Sequence, residues 1–419
     1  MKRLVSCALI LAVAAASLAA APAKQITLRF SWWGSDGRHQ ATLSAIKAFE
    51  AKNPGVKIEA EYGGWDGYYQ KLVTQLAGAT MPDIMQIDQP WVAELSNKGD
   101  VFLTIGAGAG IDLSGFDASF LKDFCSYKGQ LKGLPTGLNG TSFLLDKDVL
   151  AAAGINSNTE WTWDSMLSEG SKVHKKDSKK YFLNMGPAIM SMFVTRYINQ
   201  LSGGVFIGED KKLQFTKAQA EAAFAYFKKW QDQGVIVPAS SSILYNNKEE
   251  ENPAWINGQT ACMFTWASAV DKVRASKPNV VIKAEPVMPK AANSGILVRP
   301  SQVFAVSKDS EHPKEALAFL NFMFNDPEGI VALGSSRGVP PTAKARALLK
   351  EKKLMPAEVE QITNIALANR GKPQTTWAMN SEIGEIIADV VEQFAFDKLS
   401  PEKAASDLVT RLEQKLASF

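Results

Sequence analysis

The chain has 419 residues, with 46 lysines and arginines against 43 aspartates and glutamates, and 46% of its residues are hydrophobic. That length is too great for one core of ordinary size and predicts two lobes. The near-neutral balance, 44 against 43 once Lys2 and Arg3 are removed, excludes nucleic acid or anionic lipid as the main partner, because both need a strong basic field.

The N-terminus reads as a secretory leader: Lys2 and Arg3, an apolar run over 4–16, then small residues. Ala21-Pro22-Ala23 is the expected cleavage site, making 1–23 the signal peptide and Lys24 the new terminus; Ser17-Leu18-Ala19 is a second option. The run is too short to anchor in a bilayer. Leu4-Val5-Ser6-Cys7 superficially resembles a lipoprotein signal but precedes the apolar run, so lipidation is rejected. The mature protein is expected to be soluble outside the cytoplasm. Of three cysteines, Cys7 leaves with the leader, and Cys125 and Cys262 are expected to stay unpaired.

A strand over 26–30 opens onto Ser31-Trp32-Trp33-Gly34-Ser35-Asp36-Gly37-Arg38-His39. A helix follows near 40–52, with Leu43, Ile46 and Phe49 on one face, and Asn53-Pro54-Gly55 stops it. The next strand, 56–62, alternates Val56, Ile58, Ala60 and Tyr62 with Lys57, Glu59 and Glu61, and opens onto Gly63-Gly64-Trp65-Asp66-Gly67-Tyr68-Tyr69. A second helix is expected over about 66–78, a third strand over 84–87, and then Asp88-Gln89-Pro90-Trp91 and a third helix. Such crossovers make parallel strands with right-handed connections, so the fold class is α/β with doubly wound sheets.

In such sheets the loops leaving the strands gather at the carboxyl edge, where ligands bind. Here those loops carry Trp33, Gly34, Asp36, Arg38 and His39, then Trp65, Asp66 and Tyr68, then Asp88, Gln89 and Trp91; the opposite edge carries ordinary turn residues. Flat rings with few rotamers suit the apolar face of a pyranose, and Asp, Asn, Gln and Arg suit its hydroxyl rim. Trp32 and Trp33 face opposite ways on an extended segment, and Trp33 is chosen as the ligand-facing one. His39 reads equally as a helix-start residue packed on Trp33, and Asp66 as a helix cap.

Further on, 129–137 is glycine-flanked and extended, a crossing between lobes. A helix starts around Thr162-Trp163-Asp164, strands are expected over 260–266 and 301–307, a helix over 313–324, and a helical tail over 381–416. Trp161, Trp163 and Trp230 fall on helical patterns and read as packing, whereas Trp266 ends an apolar strand and is the facing platform of the second lobe.

Catalytic signatures are scarce. The chain has no Gly-x-Ser-x-Gly elbow, no His-Glu-x-x-His pair and no phosphate loop, and Gly106-Ala107-Gly108-Ala109-Gly110-Ile111 lacks the last glycine of a dinucleotide fingerprint. Three dispersed histidines, His39, His174 and His312, make a closed zinc site a poor reading, and no cofactor or metal is expected. The enzymatic rival is a secreted glycosidase or lyase, which would need two converging carboxyl groups from Asp36, Asp66 and Asp88.

Together these segments resemble the extracellular solute-binding proteins of family 1, the carbohydrate receptors of bacterial ABC importers. The resemblance rests on Phe49-Glu50-x-x-Asn53-Pro54-Gly55-Val56-x-Ile58, Pro82-Asp83-Ile84, Lys132-Gly133-Leu134-Pro135, Thr162-Trp163-Asp164, Trp255-x-Asn257-Gly258-x-x-Ala261-Cys262-Met263, Ala305-Val306-Ser307-Lys308 and Gly338-Val339-Pro340. It implies two lobes joined by hinge strands, a periplasmic binding protein of type II-like fold, with 24–134 plus 295–335 in lobe one and 135–294 plus 336–419 in lobe two. It also implies a periplasmic, monomeric, non-catalytic receptor that closes on a sugar or oligosaccharide and docks on membrane permease subunits. Thr136-Gly137-Leu138-Asn139-Gly140-Thr141 departs from the usual aspartate or tyrosine-rich segment after Leu-Pro, and Asn139 is the contact expected from it. The Trp32-Trp33-Gly34 turn with Arg38-His39-Gln40 resembles a subgroup that includes receptors for uronic-acid oligosaccharides. Arg38, Arg299 and Arg337 are then candidates for a carboxylate clamp, with a structural salt bridge from Arg38 to Asp36 or Glu61 as the plainer reading. Neutral and acidic ligands both remain open.

Overall fold

A computed structural model describes residues 25–106, 108–245 and 251–419. The leader reading lies outside the described residues. Two five-membered groups of strands organise the chain.

In the first sheet β1 (Ile26–Trp33) pairs in parallel with β2 (Val56–Gly63), from Ile26 opposite Val56 to Trp33 opposite Gly63. It pairs in parallel on its other side with β3 (Ile84–Ile87). β3 is wholly buried, as a central strand of Ile, Met and Gln must be, whereas β2 lies at the edge and keeps Lys57, Glu59 and Tyr62 exposed. The strands Val303–Val306 and Leu134–Pro135 complete this sheet on the far side of β3, with Val303–Val306 antiparallel to both neighbours.

Helix α1 spans Asp36–Lys52, starting four residues before the expected boundary, so Asp36, Arg38 and His39 belong to its first turn and not to a loop. Asn53 ends it: its backbone N–H donates to the Phe49 and Glu50 carbonyls and its side-chain amide to Phe49 O at 2.9 Å. Helix α2 spans Tyr68–Ala77 and is preceded by Gly67 at φ 77°, a left-handed position that suits glycine. Asp66 is exposed and makes no cap bond there, so its reading as a helix cap is corrected. Helix α3 (Gln89–Lys98) starts at the carboxyl end of β3, with Asp88 as its N-cap and Pro90 in its first turn.

The second sheet runs Val280–Lys283, Leu138–Asp146, Thr260–Trp266, Tyr181–Asn184, and Val298–Pro300 adds to the start of Leu138–Asp146. Of these pairings, the one between Tyr181–Asn184 and Thr260–Trp266 is parallel and the others are antiparallel, so this half is a mixed α/β sheet. Helices Trp163–Lys176, Pro187–Ser202 and Lys217–Asp232 bury Trp163, Phe193, Phe227 and Trp230 against it. A reciprocal capping box between Thr162 and Ser165 starts the first of them. The tail forms two helices, Ser381–Ala395 and Pro401–Ser418: the chain turns through Asp397 at φ 57°, and Ser400 then caps a new start at Pro401. Cys125 and Cys262 are buried and unpaired, and burial raises both thiols above their ordinary pKa.

The sheets are joined by segments that lie side by side. Thr136 N–H donates to Gln302 O at 2.9 Å, and Ser301 N–H to Gly137 O at 2.9 Å. Leu138 and Val339 exchange backbone bonds of 2.7 and 3.2 Å, adding a third segment. Helix Ala343–Glu351 then packs back on helices Pro313–Asn325 and Pro327–Leu333 of the first half, so the chain after 335 does not pass wholly to the second sheet. A Cβ on Gly137 would lie 2.1 Å from the Arg337 carbonyl oxygen. Gly137→Ala is therefore expected to destabilise the protein by roughly 1–3 kcal/mol through overpacking, read as a lower urea midpoint at unchanged m-value.

Candidate functional site

The carboxyl edge of the first sheet gathers four aromatic rings. Trp33, the last residue of β1, is 7% exposed and lies 5.1 Å from Trp65, 4.9 Å from Tyr68 and 5.5 Å from Trp91, centroid to centroid. Trp65 stacks on Trp91 at 5.3 Å with a 19° interplanar angle. Trp65 remains 52% exposed, whereas Trp91 and Tyr68 are buried beneath. The indole that offers a free face is thus Trp65, and Trp33 and Trp91 are its supports. Tyr68 is tied down, its hydroxyl donating towards the carbonyls of Ser31 at 3.0 Å and Gln86 at 2.9 Å. Burial raises its pKa.

The polar residues of this edge divide between surface and scaffold. Asp36 is exposed in the first turn of α1. Asp88 uses its carboxylate to accept from Gln89 N–H at 3.0 Å. Arg38 makes no ion pair among the described residues; its Nε and Nη1 reach the carbonyls of Ser336 and Trp33, both at 3.4 Å. The expected salt bridge to Asp36 or Glu61 is therefore corrected, because Glu61 is held by Arg29 and Lys71. Gly34 sits over the Arg38 side chain, where a Cβ would meet Arg38 Cδ at 2.6 Å. Arg337 is 3% exposed and donates to Gln86 Oε1 at 3.3 Å and Thr42 Oγ1 at 2.9 Å. Burial, then the Arg38 charge, lowers its pKa.

His39 is buried between Trp32 and Tyr62, not against Trp33: Trp32 Nε1 donates to its Nδ1 at 3.1 Å, and Tyr62 lies 4.6 Å away. That bond requires an unprotonated Nδ1. Burial, the largest influence, lowers the His39 pKa against the raising effect of Asp36. A histidine depressed in the folded state binds its proton more readily when unfolded, so stability should be full above the ordinary imidazole pKa and fall as pH drops through and below it. Melting of the wild type from pH 7.5 to 5 should show that loss, and His39→Gln should flatten it.

The second sheet contributes a cluster of its own. Arg299 pairs with Asn139 across adjacent strands, and Trp266 pairs with Thr141 two residues along. The Arg299 guanidinium lies over the Trp266 ring at 5.2 Å. Arg299 lines a cavity of about 180 Å³ whose other walls include Gln89 and Pro90 of α3, Phe124, and the loop Arg370, Gly371, Lys372 and Gln374. Neither Arg299 nor Arg370 forms an ion pair among the described residues. The cavity shares Gln89, Pro90, Phe124, Gln374 and Met379 with a larger groove of about 690 Å³ that runs along α3. Elements of both halves therefore wall the cavity, and the groove adjoins it through these shared residues.

The loop bearing Arg370, Lys372 and Gln374 was missed by sequence reasoning. Its position is set by Asn293, whose Oδ1 accepts from Gly295 N–H at 3.0 Å and Lys372 N–H at 2.8 Å while its amide donates to Gly204 O. The available signal was the Arg370-Gly371-Lys372-Pro373 string, in which Gly371 passes so close to Gly295 that a Cβ would lie 2.6 Å from its nitrogen.

A family model for bacterial extracellular solute-binding proteins matches residues 44–361. A periplasmic solute-binding protein of Pectobacterium atrosepticum is 31% identical, with a TM-score of 0.84 over 94% of this chain and 99% of that one. A periplasmic oligogalacturonide-binding protein of Yersinia enterocolitica, solved with saturated digalacturonic acid, is 28% identical with a TM-score of 0.82 over 94% and 99%. An ABC transporter extracellular-binding protein of Pyrococcus horikoshii is 22% identical over 311 residues, 70% of this chain and 66% of that protein.

Proposed function

The chain belongs to the bacterial extracellular solute-binding protein family, and we propose that its cargo is an oligosaccharide bearing uronic-acid carboxylates, bound between the two sheets and delivered to the permease of an ABC importer. The observation that carries this reading is the presence, at the first turn of α3, of an exposed indole, Trp65, stacked on Trp91, and of a cavity walled by Gln89 and Pro90 into which Arg299 and Arg370 bring guanidinium groups with no ion pair among the described residues. The indole covers the apolar face of one sugar ring. The guanidinium forks suit carboxylates, which they meet with two parallel bonds. Gln89, Asn139 and Gln374 supply neutral hydrogen bonds to hydroxyls, and the groove along α3 leaves room for more than one ring. The oligogalacturonide bound by the Yersinia enterocolitica relative supports the same chemistry.

Cargo that touches both halves favours the closed arrangement by its differential affinity, and the side-by-side crossings at Thr136-Gly137 and Ser301-Gln302 are the hinge about which closure occurs. Residues 1–23 act as an export leader and the mature receptor works as a periplasmic monomer. It returns its ligand unchanged. Hydrolysis would need two carboxyl groups held across the bond; Asp88 caps α3, and Asp36 and Asp66 are exposed with no side-chain hydrogen bond among the described residues to hold them in place.

Calorimetric titration of the purified chain against matched neutral and uronic oligosaccharides tests the proposal. Binding of the uronic series at one site, with intact ligand recovered afterwards, is the expected result. Binding confined to neutral sugars would remove the acidic cargo, and recovery of cleaved product would replace the receptor by an enzyme.

A further inference from the structure

Arg337 enters the structure where the chain leaves helix Pro327–Leu333 and meets Leu138 at the crossing between sheets. Its charge cannot be shed, because a guanidinium keeps its proton at any pH a protein survives. Yet its surroundings are neutral: the Gln86 amide, the Thr42 hydroxyl and the Phe304 ring, 5.0 Å below the guanidinium. The Nη1 group has no hydrogen-bond partner among the described residues, and neither has the neighbouring Ser336 hydroxyl. The charge acting on Arg337 is that of a second cation, Arg38, which leans on the Ser336 carbonyl. Among the described residues no carboxylate pairs with either arginine.

A buried cation without a counter-charge is strongly unfavourable, and two facing cations are worse. Thr136, Ser336 and Arg337 also line a small, partly open space of about 20 Å³ whose other walls include the apolar Met323, Phe324 and Ile330. One water-sized sphere needs roughly 10–15 Å³ by this measure. That volume suits a monatomic ion better than a sugar carboxylate or a phosphate.

We propose that Arg337, Ser336 and Arg38 form a binding site for one halide ion, chloride in the native setting, seated beside the hinge. The ion takes the hydrogen bonds of Nη1 and the Ser336 hydroxyl and neutralises part of the doubled positive charge beneath Trp33, whose carbonyl accepts from both Arg38 and Gln86. The site is independent of the cargo reading above, since neither Ser336 nor Arg337 lines the cavity of Arg299.

The test compares the full mature chain in sodium chloride, sodium bromide and sodium methanesulfonate at equal ionic strength. Halide is expected to raise the Tm by about 2 °C or more over methanesulfonate. Crystals grown in bromide should show an anomalous peak beside Arg337 Nη1 and Ser336 Oγ. The halide response should vanish in Arg337→Met and weaken in Ser336→Ala; the second variant carries the test where the first does not fold. Equal melting in all three salts, or a halide shift with no peak at this position, overturns the proposal. A chloride-free arm with galacturonate separates the sources of negative charge: a shift from the uronate that is lost in Arg337→Met would assign this site to cargo and overturn the inorganic ion.

Discussion

Trp65→Ala is expected to weaken oligosaccharide binding by roughly tenfold to thirtyfold, about 1.4–2 kcal/mol, with little change in folding stability. The sign and size follow from exposure. Trp65 keeps 52% of its surface in solvent while resting on Trp91. A ring stacked on that face removes roughly 100 Å² from water, worth about 2.5 kcal/mol at the usual area coefficient. Immobilising the ligand takes back part of that gain. The same substitution at Trp33 should behave differently. Trp33 is 7% exposed and touches Trp65, Tyr68 and Trp91 at once, so Trp33→Ala should cost about 3–5 kcal/mol of stability before any ligand is added. Paired urea unfolding and calorimetry on the two variants separate platform from support. Unchanged affinity in a folded Trp65→Ala protein would remove the indole from the site.

The sequence allowed the first sheet to be read almost strand by strand, for a physical reason. Alternation in 56–62 and the Asn53-Pro54-Gly55 stop are local signals, and β1 to β3 with their crossovers are assembled from neighbours in the chain. The same locality pointed to Trp33, Trp65 and Trp91 as one group. What it could not give was depth. Trp65 and Trp33 sit in similar strings, yet one lies on top and the other beneath. His39 and Tyr68 look like ligand contacts until Trp32 and the carbonyls of Ser31 and Gln86 are seen to take their hydrogen bonds. Arg337 is harder still, since its partners Thr42 and Gln86 are separated from it by 295 and 251 residues. The loop at Arg370 reaches the cavity through Asn293, a contact over 79 residues that no local pattern encodes. Local chemistry thus names the rim of the site, and long-range packing decides which members face outward.

Arg299→Gln should separate acidic from neutral cargo. Arg299 is oriented by the Trp266 ring at 5.2 Å, so its guanidinium is pre-arranged and loses little freedom on meeting a carboxylate. A hydrogen bond to a charged group contributes about 1.5–3 kcal/mol, which predicts a tenfold to hundredfold loss for a uronic oligosaccharide. A neutral oligosaccharide of the same length should change by less than about threefold, since a glutamine still offers hydrogen bonds to hydroxyls. Arg299→Lys should fall between, keeping the charge but losing the fork and the flat contact with Trp266. Arg370→Gln should repeat the pattern if both cations face the same carboxylate, and the double variant should then lose less than the sum of the two. Raising salt should weaken uronate binding in the wild type more than in Arg299→Gln, because a screened charge matters less once it has been removed. Equal losses for neutral and acidic ligands would instead make Arg299 a support for Trp266, and the preference for uronic cargo would have to come from elsewhere in the groove along α3.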